Sequence, residues 1–184
     1  MTHYLAFYKP DEVLSQFTDK AGRDTLKNYI SVPGVYAAGR LDYHSEGLMV
    51  VSDDGSFIRR VTDPRFSHPK TYLAQVEGSA TEEIIRPLEE GVILPGLQTR
   101  LAQVEIISEP PLPPRPRPVR GYHPTSWLKI VLFEGKKHQV RRMTAAVGLP
   151  TLRLVRVAIG ALELGILKPG QCRELTQAEI RAFN

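Results

Sequence analysis

The pattern that decides the fold is the run Gly39-Arg40-Leu41-Asp42-Tyr43-His44-Ser45-Glu46-Gly47-Leu48. It lies between two short apolar segments, 35–38 and 48–52, which are predicted to be strands. A glycine at each end permits backbone conformations that other residues avoid, so the run is predicted to be a tight loop. The loop carries one arginine, two carboxylates and a histidine. Polar groups on a loop held by two buried strands have fixed positions, as at many catalytic sites.

Two further motifs follow in chain order. One is Lys70-Thr71-Tyr72, and the other is Glu134-Gly135-Lys136-Lys137-His138-Gln139-Val140-Arg141-Arg142-Met143. Together with a closing run at 165–175, they resemble the ordered motifs of the ribosomal RNA pseudouridine synthases. The similarity covers nearly the whole chain. It is strongest to the branch that acts on single uridines in small- or large-subunit rRNA.

This resemblance implies an α/β (α+β) fold with a mixed, largely antiparallel sheet, flanking helices and a central catalytic cleft. It also implies an isomerase that converts one uridine of 23S rRNA to pseudouridine without a cofactor. The expected partner is 23S rRNA or a large-subunit assembly particle, and the expected state is a monomer. The chain is expected to begin directly on the catalytic fold, without an S4 RNA-binding module. Members often carry Asp or Asn where this chain has His44, so we assign no role to that residue.

The chain of 184 residues suits one domain. We expect two lobes, one formed by 1–65 with 155–184 and the other by 66–154. The single cysteine, Cys172, excludes an intramolecular disulfide and a cysteine-rich metal site. No signal peptide or membrane-spanning run is recognisable, so we expect a soluble cytoplasmic protein. The net charge of +4 permits an RNA partner without requiring one.

Hydrophobic periodicity and capping signals predict the remaining elements. Strands are expected at 5–8, 72–76, 127–133, 152–157 and 172–175, and segments 92–94 and 101–107 could pair with each other. Helices are expected at 24–30, from Asp54 to Pro64, from Ser79 to about Glu90 with a kink or early end at Pro87, at 137–147 and at 177–183. The proline-rich segment 109–124 is expected to be extended.

Forming pseudouridine breaks the bond between base N1 and ribose C1′ and rejoins the base through C5. The reaction needs an ionised carboxylate close to the sugar or the base. Burial raises a carboxylate's pKa, and a nearby cation lowers it again. The resemblance assigns Asp42 as the carboxylate and Arg141 as the cation. Attack of Asp42 on C1′, its addition to C6 and abstraction of a proton from C2′ remain open alternatives.

The uridine must also leave its stack, which costs a few kcal/mol. The resemblance implies that Tyr72 stacks on the uracil, that Arg40 contacts RNA or fills the vacated space, and that Val140 forms an apolar wall. Further basic residues are candidates for RNA binding, some of them within the proline-rich segment. These candidates are Lys70, Arg115, Arg117, Arg120, Lys137 and Arg142.

Each assignment has a structural alternative. Asp42 could pair with Arg40 as an ordinary surface ion pair, Tyr72 could be a core residue, and Arg141 could face solvent. The proline-rich segment could be a solvated connector. Lys70 could be a strand-edge charge, and His138 is interpreted as structural.

Two other function classes remain open. One is an RNA-binding or ribosome-assembly protein on the same fold without turnover. The other is a metal-dependent nuclease that uses acidic residues on or after the loop, namely Asp42, Glu46, Asp53 and Asp54. Against this second reading, the histidines show no metal-binding spacing, and no metal site is predicted.

Overall fold

The computed structural model describes residues 2–119 and 122–183. Its strands, in chain order, are β1 Tyr4–Lys9, β2 Tyr36–Ala38, β3 Glu46–Ser52, β4 Lys70–Glu77, β5 Ile93–Leu94, β6 Leu97–Gln98, β7 Ala102–Ile107, β8 Thr125–Leu132, β9 Thr151–Ile159, β10 Leu162–Glu163 and β11 Cys172–Glu174. Its α-helices are α1 Gly55–Thr62, α2 Glu82–Glu90, α3 Gln139–Ala146 and α4 Gln177–Arg181. The predicted class, a mixed α/β fold with a sheet flanked by helices, is confirmed.

The chain divides into two compact units, and it passes between them twice, once between residues 68 and 69 and once within β9. The first unit comprises 1–68 and 156–184, and the second comprises 69–155. Across 2–119 and 122–183, no helix combines the length and the apolarity needed to cross a bilayer.

In the first unit, β1 lies between β11 and β3 and is antiparallel to both. All seven residues of β3 are buried, and five of the six residues of β1 are buried, because both faces of these strands are covered. β2 pairs with the second half of β3. Helix α1 begins at Asp54, whose side chain accepts from the backbone N–H groups of Ser56 and Phe57, as the sequence predicted.

In the second unit, β8 lies between β4 and β7 and is antiparallel to both. The pairing predicted for 92–94 with 101–107 is wrong, because β5 turns back on β6 while β7 pairs with β8. Helix α2 begins after Thr81 rather than at Ser79 and continues past Pro87. Pro87 lies in a nine-residue helix packed on β7, so tertiary contacts compensate for its missing N–H.

The helix predicted at 24–30 is only a single 3-10 turn, Leu26–Asn28. Thr25 is extended, and its N–H donates to the side chain of Asn28. Asn28 therefore closes the turn locally. A helix of one turn gains few hydrogen bonds for the residues it orders, so the turn does not propagate.

Candidate active site

We call residues 39–45 the signature loop, which joins β2 to β3. It opens at Gly39, which has a φ of 84°. Within it the N–H of Ser45 donates to the carbonyl of Asp42 at 3.0 Å, which closes a turn that Asp42 opens and that has Tyr43 and His44 at its centre. Asp42 is half-buried, whereas Arg40 and His44 are exposed. The candidate carboxylate therefore lies at the start of the turn.

The residues on either side of Asp42 are fixed by the segment that follows β1. The Ser15 hydroxyl donates to the carbonyl of Leu41 at 2.7 Å and accepts from the N–H of Leu41 at 3.0 Å. The N–H of Glu12 donates to the carbonyl of Tyr43 at 3.0 Å. The backbone is therefore held on both sides of Asp42.

Lys9, the last residue of β1, is fully buried and also holds the loop. Its ammonium donates to the carbonyl of Tyr43 at 3.2 Å, of Pro10 at 2.8 Å and of Val13 at 2.7 Å. These three bonds use all three donors of a lysine ammonium. Lys9 therefore joins the strand end, the following segment and the signature loop.

Burial lowers the pKa of Lys9 to about 8. Nearby carboxylates oppose that shift because they favour the charged form, and they are those of Asp11, Glu46 and Asp42. Near neutral pH, Lys9 thus places a positive charge among the carboxylates of the loop region.

The strand that leaves the loop is held by close backbone packing. Gly47 has a φ of 106°, and a Cβ at this position would lie 2.2 Å from the carbonyl oxygen of Arg156. The side chain of Arg156 is buried, and its Nε–H donates to the carbonyl of Leu48 at 2.8 Å. Only glycine fits at residue 47, so the second glycine of the motif serves close packing as well as backbone freedom.

Aromatic and charged side chains surround the rest of the loop. His44 Nδ1 lies 3.4 Å from the Asp11 carboxylate, and the His44 ring meets the edge of Tyr43 at 4.9 Å. The guanidinium of Arg23 lies 5.9 Å from the centre of the Tyr43 ring. His44, to which the sequence assigned no role, is therefore part of the contacts that support the loop.

The second motif occupies the start of β4 in the second unit. Tyr72 is 9% exposed and lies on the same strand face as the buried Ala74 and Val76. Lys70 is half-buried at the first position of the strand. Tyr72 thus has most of its surface packed, which leaves a small part of the side chain open.

The third motif forms the start of α3, with His138 in a left-handed conformation just before it. Val140 is buried, and Arg141 and Arg142 are half-buried. A guanidinium N–H of Arg141 donates to the carbonyl of Thr151 at 3.1 Å. Arg142 donates to the carbonyl of Pro95 at 2.6 Å. Both arginines are thus fixed by backbone acceptors, while Lys137 is exposed.

The proline-rich segment, as far as 119, has no helix or strand and is attached to the start of β9. Arg153 donates to the carbonyl of Pro113 at 2.8 Å, and Arg115 donates to the carbonyl of Leu152 at 3.4 Å. Arg115 is half-buried, whereas Arg117 is exposed. Arg120 lies outside the described residues.

The model of the RNA pseudouridylate synthase family matches residues 3–146. The chain belongs to this family. It is 51% identical to a "Ribosomal large subunit pseudouridine synthase E" of Vibrio vulnificus, over 94% of this chain and 74% of that protein. It is 53% identical to the protein of the same name from Xanthomonas axonopodis pv. citri, over 88% of this chain and 87% of that protein. A solved structure described as "Crystal structure of pseudouridylate synthase" matches with a TM-score of 0.85 at 29% identity, over 100% of this chain and 74% of that one.

The four acidic residues of the nuclease alternative do not form one cluster. Glu46 and Asp53 flank the rest of β3 at opposite ends, which corresponds to roughly 20 Å along an extended strand. Asp53 accepts from the N–H of His3, and Asp54 caps α1. In the described part of the chain, no three His, Cys, Asp or Glu residues are grouped as metal ligands would be.

Sequence reasoning missed Lys9 and Arg156 as supports of the pseudouridine synthase loop. The predicted strand 5–8 stops one residue before Lys9, whereas β1 includes it. The signal was available, because Leu5-Ala6-Phe7-Tyr8 is apolar on both strand faces. A lysine that continues such a strand is itself buried and needs acceptors. Nothing in the sequence around Arg156 signals that its backbone packs on Gly47.

Proposed function

We propose that this protein converts a single uridine of large-subunit (23S) ribosomal RNA to pseudouridine, with Asp42 as the essential carboxylate. The observation that carries this proposal is the rigid signature loop, in which Asp42 lies between backbone groups held by Ser15 and Lys9. A catalytic carboxylate must be held close to its reactive geometry before the substrate arrives. The hydrogen bonds of this loop meet that requirement.

The choice of RNA rests on the relatives. The proteins from Vibrio and Xanthomonas are both named for the ribosomal large subunit, and each is more than half identical over most of this chain. A basic net charge of +4 fits a polyanionic substrate. The proposed substrate is either free 23S rRNA or an assembling large-subunit particle, since both contain the uridine.

In the proposed reaction Asp42 acts as nucleophile or as base. The bond from base N1 to ribose C1′ breaks, the base turns, and a bond from C5 to C1′ forms. The hydrogen on C5 is released and N1 gains a proton, so the product is an isomer of the substrate. Arg141 is assigned as the cationic partner of Asp42, and Lys9 adds a buried positive charge near the signature loop.

Three other residues are assigned to the flipped uridine. Tyr72 stacks on the uracil with the part of its side chain that stays open, and base–aromatic stacking contributes about 1–3 kcal/mol. Val140 supplies an apolar wall. Arg40, which is exposed on the signature loop, contacts the RNA or fills the space that the base leaves.

A tritium-release assay tests this function. 23S rRNA from a strain that lacks the enzyme is labelled at C5 of its uridines and incubated with the protein in EDTA. The wild type is expected to release about one tritium per RNA, since each isomerisation frees one hydrogen from C5. Asp42→Asn is expected to release none, because an amide is neither a nucleophile nor a base here.

Asp53→Asn is the matched control, because it makes the same chemical change at an exposed carboxylate beyond the far end of β3. It is expected to behave as wild type. Absence of release by wild type, on free RNA and on ribosomal particles alike, would favour the binding-protein alternative. Release by Asp42→Asn would show that another residue supplies the carboxylate.

A further inference from the structure

The first unit carries a surface depression that none of the three motifs explains. It is lined by the two ends of α1 and by the following 3-10 turn, Pro64–Phe66. The lining residues are Gly55, Ser56, Arg59, Arg60, Arg65 and Phe66. Three arginines and a phenylalanine thus face one concave surface.

Two of these arginines are held by one carboxylate. Arg65 donates to the Asp63 carboxylate from Nε and from Nη2, the shortest contact being 2.6 Å, and Arg59 Nε lies 3.7 Å from the same carboxylate. Their side chains are 70% and 71% exposed, whereas Asp63 is 17% exposed. The Arg65 hydrogen bond lowers the pKa of Asp63 well below its ordinary range. The Asp63 carboxylate therefore holds two exposed guanidinium groups, and the three side chains together carry a net charge of +1.

Arg60 adds a third guanidinium group to the lining of the depression. Its guanidinium lies 5.8 Å from the centre of the Phe57 ring and donates to the Ser56 hydroxyl at 3.4 Å. Asp54 borders the depression at the start of α1, where its carboxylate accepts from the Ser56 hydroxyl at 2.7 Å and from two backbone N–H groups. Three guanidinium groups thus face two carboxylates, and the most exposed of these charges are those of Arg59 and Arg65. The depression is therefore positive where it is open to solvent.

The aromatic part of the surface is rigid. Phe66 is 44% exposed and stacks on the His68 ring, with ring centres 6.1 Å apart and planes 6° from parallel. His68 in turn meets the edge of the buried Phe183 at 5.0 Å. An exposed ring supported in this way loses little side-chain freedom when a flat partner stacks on it.

The depression adjoins the start of the signature loop. Thr62, the last residue of α1, has its methyl group 3.7 Å from the position that a Cβ would occupy on Gly39. Arg59 lies one helical turn before Thr62, which is about 4.5 Å along the axis. The depression therefore lies beside the start of the loop that carries Asp42.

We propose that this depression is a second RNA-contact surface, which binds the phosphates of a single-stranded segment with Arg59 and Arg65 and stacks a base on Phe66. The inference rests on the proposed function, because it concerns RNA that flanks the target uridine. Planar guanidinium groups fit phosphate oxygens, and an exposed ring fits any base, which together favour single-stranded RNA over an acidic protein.

The test compares Arg59→Ala/Arg65→Ala and, separately, Phe66→Ala with wild type. Binding of a labelled single-stranded oligoribonucleotide is measured over a salt series, and kcat and KM are measured on tritiated 23S rRNA. The arginine variant is expected to flatten the slope of log K against log[salt] by about 1.4, or about 0.7 for each lost phosphate contact. Phe66→Ala is expected to weaken binding roughly 5- to 150-fold and leave the slope unchanged.

Lys27→Ala/Lys168→Ala is the control, because it removes two exposed charges from other parts of the same unit. It is expected to keep the wild-type slope. Urea unfolding of each variant confirms that the losses are not losses of folding. A slope for the arginine variant equal to that of the control would overturn the proposal. So would a loss on arginine substitution with none for Phe66→Ala, which indicates a general polyanion site.

Because Phe66→Ala removes no charge, it still tests the surface if the arginine variant fails to fold. Failure of the proposed function is distinguishable from failure of this inference. Lack of tritium release by wild type rejects the function, whereas normal release with unchanged binding by both variants rejects only the second surface.

Discussion

The signature loop and the proline-rich segment are both irregular, yet they are held in different ways. In the signature loop, the carbonyl groups on either side of Asp42 accept from Ser15, Glu12 and Lys9, and the donor Lys9 is fully buried. Two arginines hold the segment 109–119 to β9 through hydrogen bonds to backbone carbonyl groups, Arg115 to Leu152 and Arg153 to Pro113, and Arg117 is exposed. Chemistry requires a fixed carboxylate, whereas phosphate binding tolerates adaptable side chains.

The sharpest way to test this difference is to disturb the packing of the motif's second glycine. Gly47→Ala places a methyl group 2.2 Å from a backbone oxygen at a positive φ, so β3 and β9 must separate locally. We expect a loss of more than about 4 kcal/mol in the free energy of unfolding, or no folded protein. Urea denaturation measures this loss.

Gly34→Ala is the control, because Gly34 also has a positive φ, 75°, but has no atom near its Cβ position. It is expected to lose only about 1–2 kcal/mol, the cost of the left-handed backbone. Equal losses for the two variants would mean that close packing at Gly47 contributes nothing.

The second prediction concerns the buried lysine that holds the loop. Lys9→Met removes the donors of three carbonyl groups and is expected to cost about 2–3 kcal/mol at pH 7, where the ammonium carries all three. The exposed Lys27→Met is expected to stay within about 0.5 kcal/mol of wild type. A Lys9→Met protein as stable as Lys27→Met would show that the hydrogen bonds of Lys9 do not stabilise the loop.

The third prediction concerns how the stability of wild type relative to Lys9→Met changes with pH. Lys9 has a pKa of about 8 when folded, against an ordinary value of 10.5. Between these values the unfolded chain holds a proton that the native state has lost, so raising the pH stabilises the native state. The stability of wild type relative to Lys9→Met should therefore rise from pH 8 to about pH 10, by at most ~1.4 kcal/mol per pH unit. A fall over this range would show that the carboxylates, not burial, dominate.

The smallest effect is expected in the proline-rich segment. Arg117→Ala should reduce the slope of log K against log[salt] for 23S rRNA binding by about 0.7–0.9, the loss of one phosphate contact. Arg115 is half-buried and bonded to the carbonyl of Leu152. Arg115→Ala is therefore expected mainly to lower the free energy of unfolding, with a smaller change in the salt slope than Arg117→Ala. Unchanged affinity for Arg117→Ala across the salt series would make the segment a plain connector.

Much of the fold was predictable because local signals agree with the tertiary structure. The glycines of the motif and the Asp54 cap are examples, since each signal lies within a few residues. The partner of β7 was not predictable, because pairing with β8 spans the proline-rich segment and depends on the whole sheet. The same applies to the site. The motifs name Asp42, but its supports Lys9 and Arg156 are distant in sequence and act through backbone carbonyl groups.

The measurement that tests the central claim most directly is a map of pseudouridines in 23S rRNA from a strain that lacks the enzyme. The strain is complemented with wild type, Asp42→Asn or Asp53→Asn. We predict that one uridine is unmodified without the enzyme, is modified with wild type and with Asp53→Asn, and stays unmodified with Asp42→Asn. Modification restored by Asp42→Asn, or no 23S uridine that depends on the protein, would contradict the account.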